Sequence, residues 1–287
     1  MSIAWHGKCA EAIPEIPAKP TWEIFSNLAQ YKECVKEKQI LPVAYYQENA
    51  AIYGIDLCHS YRYLILGRER MGKSVFMRNI ACAAKDAGGQ IYLIDKSNKN
   101  DYKTAQMTGA TYASEASEIK DVIKELIMLT NERGVMRKTL TGKGYDDDEI
   151  YQMMSKEFCA VYVLIADFAD FLRIIYTDIA DVGKMNAPIE TIFAKGRLLN
   201  VHFFAAANVE QIPQMTVRPA YLNFVADKMG TVLGGEMNKQ NVFAYQNIKF
   251  SEQGKRLKTG QAYAVNAEDN SRVDLIVFAQ NKGLVEE

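Results

Sequence analysis

Short apolar runs and longer stretches with helical spacing alternate through the middle of the chain. The runs are residues 63–66, 90–95, 161–167 and 201–207. Each is rich in branched or aromatic side chains, as in strands buried on both faces. Residues 74–85 read as a helix after the first run, and Gly88-Gly89 breaks the chain before the second. Residues 114–133 carry Ile119, Val122, Ile123, Leu126, Ile127 and Leu129 at helical spacing, with Ser114 or Ser117 as the cap. Residues 188–200 read as a helix with Pro188 in its first turn. This alternation predicts an α/β fold, a mainly parallel twisted sheet with helices on both faces.

The two ends differ from this core. Residues 1–40 form a linker or approach segment, and residues 41–287 the domain proper. Residues 12–20 hold three prolines and are predicted to be extended, because each proline restricts its predecessor. A helix follows, with Thr21 as N-cap and Glu23 in its first turn. Ile24 occupies the third helical position, which rules out a capping box. After Asn208 the pattern weakens to loops, short helices and two late strands, residues 261–265 and 272–278. The acidic run Asp146-Asp147-Asp148-Glu149 lacks the alternate ligands and central glycine of a calcium loop, so it reads as a solvated loop and helix start.

Composition narrows the function classes. Thirty-four basic and 35 acidic residues give a formal charge of -1, without the basic excess of a chain that tracks nucleic acid. No nucleic-acid partner is expected. Five scattered cysteines without a CxxC pair, and only three histidines, argue for free thiols in a reducing compartment rather than a zinc site. The most apolar stretch, residues 161–176, is interrupted by Asp167, Asp170 and Arg173, so no membrane span is expected.

The chemistry centres on Gly67-Arg68-Glu69-Arg70-Met71-Gly72-Lys73-Ser74, a G-x-x-x-x-G-K-S loop between an apolar strand and a helix. In such a P-loop the backbone N–H groups and the helix N-terminus cradle phosphate. Lys73 would meet the β and γ phosphates, and Ser74 would ligate Mg²⁺. ATP and Mg²⁺ are therefore the implied cofactors. All four variable positions are bulky, where a small residue would ease positive φ. Glu69 adds a carboxylate beside a polyanion; at ~5 Å and an effective dielectric near 20 this costs on the order of 1–3 kcal/mol. Weak binding is the expectation.

Residues 165–168, Ile-Ala-Asp-Phe, hold one acid where hydrolases of this branch place two, a magnesium carboxylate and a base. Either Asp167 is the magnesium carboxylate and Phe168 replaces the base, or Asp167 is a shortened base and Ala166 replaces the magnesium carboxylate. No catalytic residue is assigned. Asp170 reads as a helix N-terminal acid. Asn208, closing the next strand, is a candidate sensor of the γ-phosphate, and Arg197 a candidate inter-subunit arginine. His202 reads as a core residue.

Read together, these segments resemble the FtsK/SpoIIIE ATPase family. Residues 194–208 resemble that family's arginine, "GIH", apolar strand and "ATQ", with Asn200, Ala207 and Asn208 standing for the glycine, threonine and glutamine. Residues 163–170 resemble its "VVIDExxD" strand, in a register that puts Ala166 at the magnesium aspartate. The closer resemblance is to the last ATPase domain of the type VII secretion coupling proteins EssC and EccC. Residues 12–20 resemble the linker before such domains, residues 41–57 their leading hairpin, and residues 257–263 their "PGRG" strand.

The resemblance spans about residues 12–280 and implies a RecA-like P-loop NTPase fold with a degenerate nucleotide site. It further implies one module of a hexameric protein, preceded in the same chain by other ATPase domains. That module would be the soluble part of a membrane-anchored protein on the cytoplasmic side. Its partners would be exported WXG-type proteins or their C-terminal signal. The alternative is an active, ATP-hydrolysing FtsK-like motor for protein or DNA. For a signal helix, Ile212, Met215, Tyr221 and Phe224 are candidate groove residues.

Overall fold

The computed structural model describes residues 14–96, 101–177 and 184–282; Ala12 and Ile13 of the expected linker and Cys9 lie outside them. The chain enters through two helices, α1 (Trp22–Ser26) and α2 (Ala29–Glu37), then a hairpin of β1 (Ile40–Tyr46) and β2 (Ile52–Asp56). The alternating core follows as β3 (Arg62–Gly67), α3 (Lys73–Asp86), β4 (Gln90–Ile94), α4 (Tyr102–Thr108), β5 (Thr111–Ala113) and α5 (Ala116–Gly142). It continues through α6 (Asp147–Glu157), β6 (Val161–Ile165), α7 (Phe168–Tyr176), α8 (Asn186–Lys195) and β7 (Val201–Ala207). Short helices α9 (Ile212–Met215) and α10 (Pro219–Phe224) lead to β8 (Gly230–Glu236), α11 (Phe250–Gln253), β9 (Arg256–Val265) and β10 (Val273–Phe278).

Among the described residues these strands make one sheet in the order β2-β1-β10-β9-β8-β3-β7-β6-β4-β5. The six from β8 to β5 run parallel, and β2, β1, β10 and β9 add antiparallel pairings on the far side. The fold is therefore α/β with the mainly parallel sheet expected. The insertion of β7 between β3 and β6 decides the site's layout. The P-loop strand and the Asp167 strand are not neighbours, and the end of β7 stands between them.

Several local readings change. Helix α5 is capped by neither Ser114 nor Ser117. The Glu118 carboxylate reaches back to accept from the N–H groups of Ser114 and Glu115, each at 2.9 Å. It also runs past Gly134 to Gly142, because Leu140 finds a buried seat that outweighs one helical glycine. The stretch read as a helix over residues 188–200 is α8 and then a 3₁₀ turn, Gly196–Leu199, closed by Asn200 in the left-handed region at φ 53°.

Strand β8 is a strand where loop was expected. Its three glycines disguise it, yet Gly230 is required by packing: a Cβ there would lie 2.2 Å from the Leu64 carbonyl oxygen of β3. At the amino end, Thr21 Oγ1 accepts from the Ile24 N–H at 3.4 Å, as expected of the N-cap. Trp22 N–H donates to Gln280 O at 3.0 Å, and Tyr31 donates to Asp86 Oδ2 at 2.7 Å. With Phe25 and Tyr45 these contacts build a second small core under β1.

Candidate nucleotide site

Strand β3 delivers the loop and α3 receives it. Gly72 caps α3 at φ 93°, and a Cβ there would meet the Phe278 ring at 2.9 Å. Gly72→Ala is therefore expected to cost about 1–3 kcal/mol, read from urea unfolding, since the new side chain meets both backbone strain and a buried ring. Arg70 takes the left-handed conformation at φ 60° without being glycine, which its exposed position allows. Met71 turns away from the loop's concave side onto the end of β8, where a Cβ on Gly234 would lie 2.5 Å from its sulfur. The bulky residues thus do not all crowd the phosphate space.

What remains is an open cavity of about 720 Å³. Glu69, Arg70, Gly72, Lys73 and Ser74 line it from the loop, Ala166 and Asp167 from the end of β6, and Asn208 from the end of β7. Gln211, which the sequence reading passed over, lines it too. Its signal was the Asn208-x-x-Gln211 spacing of a capping box. Arg68 lies outside this lining.

The polar groups of the cavity are mostly engaged. Lys73 Nζ donates to the carbonyls of Gly67 at 2.9 Å and Arg68 at 2.8 Å. Burial lowers its pKa, and the charges of Glu69 and then Asp167 oppose that shift. Asp167 is the N-cap of α7, its Oδ1 accepting the Asp170 N–H at 2.9 Å. Asn208 caps the following 3₁₀ turn, its Oδ1 accepting from the Glu210 N–H at 3.2 Å. Asp170 lies in the first turn of α7, as expected of it, and pairs with Arg173 on the same helix.

Phe168, which follows the acid strand, turns into the core. Its ring is fully buried, with centroids 4.5 Å from Phe224 and 6.4 Å from Phe193. Ala166 and Asp167 face the cavity and Phe168 does not.

Other candidates lie elsewhere. Arg197 precedes β7 at its amino end, opposite the P-loop, where it pairs with Asp148 and donates to Cys58 Sγ at 3.2 Å. It cannot serve this chain's own cavity. His202 is fully buried in β7. Ile212, Met215, Tyr221 and Phe224 do not form a groove. All four are buried in the main core, because α9 and α10 turn their apolar faces inward, Phe224 onto Phe168 and Phe193. The apolar side chains exposed in that region are Val217 and Leu222.

Among the described residues no three His, Cys, Asp or Glu side chains gather at metal-binding distance. The oxygens of Ser74 and Asp167 suit a hard cation that arrives with a polyphosphate, as Mg²⁺ does, rather than one held by protein alone. No helix among the described residues is long and apolar enough to cross a membrane.

No family model and no curated protein matches the sequence. Solved structures do match. The cytoplasmic domain of EssC superposes with a TM-score of 0.78 over 94% of this chain and 49% of that one, at 15% identity. The fold is that of the EssC and EccC ATPase domains. Thermomonospora curvata EccC (ATPases 2 and 3), in complex with a signal sequence peptide, gives a TM-score of 0.66 at 14% identity, over 96% of this chain and 46% of that one. The pCW3 conjugation coupling protein TcpA, with ATPγS, gives 0.65 at 16% identity over 93% of this chain and 71% of that one. The chain spans about half the length of these EssC and EccC structures.

Proposed function

We propose that this chain is an ATPase-fold module of a type VII secretion coupling protein that engages a segment of an exported protein and turns nucleotide over slowly. The observation that carries this reading is the cavity itself. It gathers Lys73, Ser74, Ala166 and Asp167, and the proposal takes Ala166 as standing in for the magnesium carboxylate. A site of that kind binds phosphate better than it hydrolyses it. In this reading the backbone of Gly67 to Ser74, the side chains of Lys73 and Ser74, and Asn208 bind nucleotide, Ser74 and Asp167 face Mg²⁺, and Arg197 serves a neighbouring copy in a hexamer. The module sits on the cytoplasmic side of the membrane, behind other ATPase domains of the same protein.

Peptide rather than nucleic acid is the proposed partner. A formal charge of -1 gives little attraction to a phosphate backbone. The matching EccC structure carries a signal sequence peptide, and that likeness extends here only as a proposal. Val217 and Leu222 are exposed, and they are the apolar side chains proposed to meet an amphipathic signal helix.

Fluorescence titration of labelled C-terminal signal peptides and of duplex DNA, at low and physiological salt, tests the assignment. Saturable, salt-insensitive peptide binding is expected, weakened about tenfold by Val217→Asp with Leu222→Asp. DNA binding that falls steeply with salt, together with no peptide binding, would overturn it and favour the motor reading.

A further inference from the structure

Two carboxylates face the cavity, and they are not equivalent. Asp167 caps α7: its Oδ1 accepts the Asp170 N–H, and the helix N-terminus disperses its charge. Glu69 is exposed on the loop and, among the described residues, makes no hydrogen bond and no ion pair. Arg68 and Arg70 flank it in sequence, yet neither pairs with it. Its negative charge falls on Lys73 more strongly than that of Asp167 does. The lining charges are thus Lys73 and Arg70 against Glu69 and Asp167, with no positive excess to receive a polyanion.

From this arrangement we infer that Glu69 is the specificity-determining residue of the cavity, admitting a nucleoside triphosphate as its divalent-cation complex and rejecting the metal-free polyanion. The inference rests on the nucleotide reading of the site. A phosphate chain laid along the loop passes the unpaired carboxylate, and the two repel in proportion to the ligand's remaining charge. A divalent cation cancels much of that charge before the ligand arrives. It also occupies the side of the phosphates that Ser74 and Asp167 face. Glu69 therefore acts by repulsion of the wrong form and not by attraction of the right one.

Calorimetric titration of ATPγS, with excess Mg²⁺ and separately with EDTA, into the wild-type chain and the Glu69→Gln variant decides the matter. Gln is isosteric and Glu69 holds no structural contact, so the fold is expected to be unchanged, with near-ultraviolet circular dichroism as the check. Wild type is expected to bind the Mg²⁺ complex, and Glu69→Gln to raise affinity for metal-free ATPγS by about 10- to 100-fold. Affinity for the Mg²⁺ complex is expected to change by less than about threefold. Equal affinities of the two proteins for both ligands overturn the inference. So does a Glu69→Gln variant that loses the Mg²⁺ complex, since Glu69 would then hold the cation. Absence of binding in all four titrations overturns the nucleotide reading itself.

Discussion

Mixed with Mg·ATP, the isolated chain is expected to release phosphate well below about 1 s⁻¹. Lys73→Ala is expected to lower that residual rate to the uncatalysed background. Three features keep the wild-type rate low. In the proposed reading Ala166 stands for one of the two strand-end acids, and loss of positioned acid–base catalysis typically costs about 10²–10⁴-fold. Asp167, the acid that remains, already has one oxygen committed to the Asp170 N–H. Arg197 lies at the opposite edge of the sheet, paired with Asp148, and cannot reach this cavity from within one copy. A coupled-enzyme phosphate assay on wild type and Lys73→Ala reads the prediction. A rate near 1 s⁻¹ that Lys73→Ala abolishes would show the site to be complete without the second acid. The restoring substitution is Ala166→Asp alone. Changing Asp167 to Glu as well would weaken the cap of α7, because the longer side chain is a poorer N-cap. Ala166→Asp should raise Mg²⁺-dependent turnover by about tenfold or more if the loop accepts nucleotide.

The sequence carried most of the parallel core and the loop, for a physical reason. Residues 161–165 and 201–207 are buried on both faces, so their composition had to be almost continuously apolar, and such runs are hard to mistake. The gathering of Lys73, Asp167 and Asn208 about one cavity follows from strand order, because each closes or follows a parallel strand at the same edge. What the sequence hid were features set by tertiary contact. Strand β8 was lost among its glycines, of which Gly230 is small because β3 lies against it and Gly234 because Met71 does. Phe168 continues the apolar run after Asp167, and only the aromatic cluster shows that its ring turns inward, away from the cavity. The apolar residues of α9 and α10 show the same periodicity whether they line a groove or fill a core, and here they fill it. Met71 looked like an obstruction to phosphate because its seat on Gly234 is far away in sequence.

Acid is expected to destabilise this protein through His202 before the pH at which most carboxylates protonate. The ring lies in the middle of the sheet, fully buried, and stacks on Tyr162 at a centroid distance of 5.5 Å. Asn200 donates its Nδ2 to Phe158 O at 2.9 Å, which leaves Asn200 Oδ1 facing His202 Nε2 at 2.9 Å. That oxygen can only accept, so Nε2 carries the proton and Nδ1 is bare. Nδ1 has no partner among the described residues, and a second proton there would be a buried cation without an acceptor. Burial first, and then the nearby Arg133 guanidinium, push the imidazole pKa down to about 3. The unfolded chain protonates the same ring near its ordinary value of about 6.5. Below that value the unfolded state therefore binds the extra proton and gains on the folded one. The loss is absent above pH 7 and grows to about 2 kcal/mol at pH 5 and about 3 kcal/mol at pH 4. Urea unfolding of wild type and His202→Gln at pH 7, 5 and 4 isolates this contribution, because the other carboxylates titrate alike in both. The variant is expected to start less stable at pH 7 and to recover most of the difference at pH 4. Parallel stability curves for the two proteins across that range would mean that the ring is protonated in the fold or that water reaches Nδ1.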